Sequence, residues 1–210
     1  MKKADKYDWL EFAQSFLLLA KLACQELEDA REKKHSKITR FDPPEMNFSY
    51  QHTDLFVPIV FNVKHGLEVF VKTLKIISTK NYKEGHDLKD LFSNLKDSLP
   101  KKIKPIKDQR GNKVTQEDID NISSNLDDIE KLVLKYYHCE FINSGQKVVN
   151  IYDKMNDVFR YPDNKAETKI NFDLVDENLI KDIHGDIDNI YRFFNDFGYL
   201  LEIYQANCNK

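Results

Sequence analysis

Glycine and proline are scarce in this chain, with 6 of each in 210 residues. So few turn formers cannot serve the many tight connections of a β-sandwich or barrel, and the balance favours long helices. Cysteine is scarcer still. Cys24, Cys139 and Cys208 lie far apart, which disfavours both a disulfide framework and a thiolate zinc site. Apolar runs are short: Phe16 to Ala20 falls far below the length that crosses a bilayer, and no secretory leader pattern opens the chain. The expectation is a cytoplasmic protein with no membrane partner.

Charge of one sign is also lacking. The 32 basic and 35 acidic residues leave a formal net charge of -3, so no global basic field recruits nucleic acid and any RNA contact is local. The Lys101–Lys107 run lacks interleaved aromatics for base stacking and reads as a solvated loop. Several reaction classes go with missing motifs. The chain has no Gly-rich phosphate loop, no Gly-x-Ser-x-Gly elbow, no His-Glu-x-x-His and no Cys-x-x-Cys. Glu32-Lys33-Lys34-His35 is a lone Glu-x-x-His, where a di-iron bundle needs two. No metal and no cofactor is expected.

What is present is helical periodicity. Trp9, Phe12, Phe16, Leu19, Ala20, Ala23 and Leu27 recur in steps of three and four and predict a first helix over about 4–34. Phe41-Asp42-Pro43-Pro44 breaks the chain. Asp54 then caps a second helix, Leu55 to about Thr79, with Pro58 near its first turn. Its core stripe includes Phe56, Ile59, Val63, Leu67, Phe70 and Leu74. Gly85-His86-Asp87 opens a third helix, to about Leu99, with Asp87 as its N-cap. Thr115 and Asp118 approximate a capping box for a fourth, to about Glu140. Val148 to Phe159 reads as either helix or strand, Arg160-Tyr161-Pro162-Asp163 as a turn, and Lys169 to Asp173 as an extended piece. The last helix spans about 176–206. The expected fold is all-α: one domain over 1–210, an up-and-down bundle of four to five long helices. Its core covers about 4–206, with surface loops near 38–53, 100–114 and 141–175.

Chemically capable residues gather at one helix–turn–helix corner. Lys64, His65 and Glu68 set a cation, a titratable ring and a carboxylate along one helix, with His65 and Glu68 three apart on a shared face. They line a pocket for a phosphate or base edge, or else His65 is a partly buried structural histidine. His86 and Asp87 serve the corner itself, or His86 stands beside free N–H groups that hold an anion. Arg160 and Tyr161 form a stiff turn, or Arg160 folds onto the corner as a phosphate clamp. In that second version Lys64, His65, His86 and Arg160 converge.

Lys64-His65-Gly66-Leu67-Glu68 followed by Leu74, then Gly85-His86-Asp87-Leu88, then Phe159-Arg160-Tyr161-Pro162-Asp163 ahead of the final helix, resembles the HEPN superfamily of helical bundles. The resemblance spans about Leu10 to Tyr204. It implies a homodimer that binds RNA or a nucleotide in a phage-defence or toxin–antitoxin setting. A cognate antitoxin or a small nucleotidyltransferase would be its protein partner. Nuclease members carry an Arg followed four to six residues later by a His, as acid–base and charge-stabilising groups. This sequence departs from that pattern, since the first His after Arg160 is His184 and Arg31 and His35 are separated by only three residues. The implied protein leans away from being an enzyme. If it cleaves, it is a divergent metal-independent ribonuclease using Arg160 with His65 or His86. The remaining alternative is a non-enzymatic dimer that holds a partner protein.

Overall fold

A computed structural model describes residues 6–33, 52–79, 85–98, 104–107, 111, 113–138, 140–142, 145–150 and 175–208. Helices dominate it: α1 (Lys6–Lys33), α2 (His52–Thr79), α3 (Leu88–Ser98), α4 (Gln116–His138) and α5 (Glu177–Cys208). The all-α bundle read from the periodicity is the fold observed.

Caps fix three of the helix starts. The Asp87 carboxylate accepts the Asp90 N–H at 2.9 Å and opens α3. Thr115 and Asp118 form the reciprocal box: Asp118 N–H donates to Thr115 Oγ1 at 3.1 Å and Thr115 N–H to Asp118 Oδ2 at 2.7 Å. Asp176 takes the Leu179 N–H at 3.0 Å and starts α5. α2 departs from expectation. It begins at His52, so Asp54 lies inside its first turn and Pro58 in its second. The Asn62 amide donates to the Pro58 carbonyl at 2.7 Å.

Polar contacts between helices give their directions. Tyr191 Oη donates to the Gln14 carbonyl at 2.9 Å, Lys21 Nζ meets Asp188 at 2.6 Å, and His184 Nδ1 lies 3.2 Å from Glu28. Positions rise along α1 as they fall along α5, so the two run antiparallel. α3 and α4 do the same, with Tyr137 on Asp87 at one end and Lys96 on Asp127 and Glu130 at the other.

The core takes the stripe read from α2, including Phe56 and Leu67, together with Leu91 of α3, Leu126 of α4 and Ile183 and Phe197 of α5. α1 is a correction. Of the expected stripe, Phe12 and Leu19 face outward, 55% and 56% exposed, and Phe16 is half-buried. Ala20 and Leu27 of that stripe are buried as expected, and they are joined in the core by Ala13, Leu17 and Cys24. Both sets repeat at helical spacing. Packing decides between them at Gly66 on α2, where an added Cβ would sit 2.9 Å from Leu17 Cγ and 3.3 Å from the Ala13 carbonyl oxygen. Small residues on α1 and a glycine on α2 let the two helices approach closely, and the bulky stripe is left outside.

Two connections expected as loops carry short antiparallel pairs. β1 (Ile106–Lys107) pairs with β2 (Lys113–Val114), and Gly111 adopts φ 88° between them. β3 (Glu140–Ile142) pairs with β4 (Val148–Asn150), with Phe141 opposite Val149 and Gln146 at φ 58° in the turn. β3 matters to the core because Phe141 is buried edge-on against Phe56 and Tyr136. β4 settles the start of Val148–Phe159 as strand. Arg160, Tyr161 and the Lys169–Asp173 piece lie outside the described residues.

Candidate functional site

Lys64, Glu68 and Lys72 stand at four-residue intervals on α2, one turn above another. All three are buried, Lys64 and Glu68 almost completely. A buried carboxylate is costly unless paired and hydrogen-bonded. Glu68 satisfies that condition. Its Oε1 accepts from Lys72 Nζ at 2.6 Å and stands 2.8 Å from His86 Nδ1, while His65 Nδ1 is 3.7 Å from Oε2. Burial alone would raise its pKa, but the His65, Lys72 and His86 contacts outweigh burial and hold it at about 2.

An ionised carboxylate can only accept, so His86 presents Nδ1 as N–H to Glu68. Nε2 is then the ring nitrogen left for a ligand. The His86 side chain is 47% exposed, so the ring spans from a buried carboxylate to the surface. Gly85, at φ +135°, supplies the backbone conformation that delivers the chain to this point, one that residues with a Cβ rarely adopt. A carboxylate-oriented imidazole of this kind can donate to or accept from a phosphate, or move a proton.

The other predicted residues divide by role. Asp87 is committed to structure: Oδ1 caps α3 and Oδ2 accepts from Tyr137 Oη at 3.3 Å. His65 lies between aromatic rings, edge-on to Phe16 at 4.5 Å and stacked on Phe61 at 5.6 Å. Its Nδ1 is buried with no hydrogen-bond partner among the described residues. Lys64 is enclosed, with no surface for a ligand. The structure therefore brings His65, Glu68 and His86 together, whereas the Arg160 and Tyr161 part of the proposed convergence lies outside the described residues.

Sequence reasoning missed Lys72 as a partner of Glu68, although the Lys64–Glu68–Lys72 spacing carries that signal. It missed Tyr137 on Asp87 because that contact joins residues fifty apart. Elsewhere, burial and the Glu28 charge push the Cys24 thiol up to about 12, which leaves it a protonated core group. Among the described residues no group of three His, Cys, Asp or Glu side chains could hold a metal ion, and no helix is long and apolar enough to cross a membrane. No family model matches the chain, and neither a curated protein nor a solved structure matches it.

Proposed function

We propose that this chain is a HEPN-like helical-bundle protein that binds RNA or a nucleotide at the His86 corner, without the standard nuclease pattern. The observation that carries this reading is the Glu68–His86 pair, a buried ionised carboxylate 2.8 Å from a half-exposed imidazole. Such a ring is held in one tautomer and one orientation, as ligand-binding histidines are. With a net charge of -3 the protein has no field for long polyanions, so recognition is of a single phosphate group or a short single strand. Fluorescence anisotropy with tRNA, a short labelled RNA and a labelled ATP tests it. Saturable binding by the wild type, weakened roughly tenfold in His86→Ala, is the expected result. RNA recovered intact after incubation separates binding from cleavage. If none of the three probes binds, or if His86→Ala binds like the wild type, the reading fails.

A second reading, a dimeric module that holds a protein partner, is favoured by a different observation. Phe12, Leu18, Leu19 and Leu22 are each about half exposed on the outer side of α1. Contiguous apolar surface of this kind marks interaction sites. Sedimentation that finds only monomer up to roughly 100 µM would remove the self-associating form of this reading.

A further inference from the structure

α4 and α5 flank a groove of about 330 Å³, none of whose lining residues belongs to the His86 corner. Its apolar lining comes from Ile129, Leu132 and Phe193, with Ile129 and Phe193 buried. Besides Asp128 and Lys131, four polar side chains line it: Asn125 from α4 and Asn189, Arg192 and Asp196 from α5. None of the four has a hydrogen-bond or ion-pair partner among the described residues. Unpartnered groups of both signs beside an apolar floor are the ordinary anatomy of a small-molecule site, and the volume is at the small end of that class.

The charges narrow the ligand. Asp128 and Lys131 at the edge bond each other at 2.7 Å and cancel. That leaves one guanidinium and one carboxylate, four residues apart on the same face of α5. The Arg-before-Asp order is the less favourable one for pairing along a helix, so the two groups gain little from each other. With two acidic and two basic side chains the lining has no net positive charge, which disfavours RNA and polyphosphates. A zwitterion would meet complementary charges at both ends.

We propose that the α4–α5 groove binds a free apolar α-amino acid. The ligand carboxylate bonds the Arg192 guanidinium fork, its ammonium bonds Asp196, and its side chain lies over Ile129, Leu132 and Phe193. Asn125 and Asn189 supply amide donors and acceptors at the rim. This site is separate from the His86 corner and does not rest on the reading given for it.

Calorimetric titration of the full chain with L-leucine and L-phenylalanine tests the proposal. Saturable binding of at least one of them is expected. N-acetyl-L-leucine, which lacks the ammonium, and L-leucinamide, which lacks the carboxylate, each bind roughly tenfold or more weakly. Arg192→Gln and Asp196→Asn lose the amino acid by a similar factor while melting like the wild type, because both side chains are exposed. No heat from either amino acid up to roughly 10 mM overturns the proposal. So does binding that survives both substitutions, or a groove that takes adenosine monophosphate in an Arg192-dependent way and ignores both amino acids.

Discussion

At the level of single residues, Glu68 decides how the α2–α3 corner behaves with pH. Its folded-state pKa of about 2 lies below its ordinary value of 4.5, so the unfolded chain binds the proton more readily. The stability it contributes is complete above about pH 4.5 and is lost as pH falls toward 2, a change of up to about 3 kcal/mol. Asp186 leans the other way, because burial raises its pKa despite the Lys135 contact. Comparing wild type with Glu68→Gln therefore isolates the Glu68 share. Glu68→Gln leaves Lys72 buried beside a neutral amide, and denaturant unfolding at pH 7 is expected to show a loss of about 3 kcal/mol. Its acid limb between pH 4.5 and 2.5 is expected to be flatter than that of the wild type. Superimposable stability–pH curves would remove Glu68 as the centre of the corner. Glu68 was legible from its i, i+3 relation to His65, and His86 from its place after Gly85. That the two meet was not, because their contact bridges a turn whose path no periodicity encodes.

Between elements, the informative contrast is two glycines in helices. Gly66 on α2 lies against α1, and a methyl there would press into Leu17 at 2.9 Å. Gly66→Ala gains about 1 kcal/mol of helix propensity but loses about 1–3 kcal/mol to overpacking, so a net destabilisation is expected. Gly185 on α5 faces open space. Gly185→Ala is expected to stabilise by about 0.5–1 kcal/mol, with no opposing clash. Thermal melts of the two variants should therefore shift in opposite directions, and a shift of the same sign in both would contradict the close α1–α2 crossing. The same crossing explains the misread face of α1. Residues 16–24 are apolar nearly all round, so two stripes satisfied the helical period equally well. Side-chain volume against the neighbouring helix chose between them, and volume matching is a property of the pair that neither segment carries alone. On α3 and α4 the buried Leu88, Leu91 and Leu95, and Leu126, Ile129 and Val133, recur in steps of three and four.

For the whole molecule, the outward stripe of α1 bears on assembly. Phe12, Leu18, Leu19 and Leu22 present large side chains to solvent on a helix whose other side is already packed against α2 and α5. Removing such a surface from water favours association, and a second copy of α1 offers a matching apolar surface. If two copies pair through it, the folded dimer is favoured by mass action and melting depends on concentration. For a chain of 210 residues, a tenfold rise in protein concentration should raise Tm by about 1–3 °C. Leu19→Glu sets a charge in the middle of the patch without touching the core, since Leu19 is 56% exposed. That variant should sediment as a monomer and melt at a temperature independent of concentration, while keeping its helical circular dichroism. A wild type whose Tm does not move over a hundredfold concentration range would show that a second copy does not cover α1. The same Leu19→Glu variant then reports on the His86 corner. Nucleotide or RNA binding that persists in the monomer assigns recognition to one chain, and binding lost with the dimer assigns it to the assembled pair.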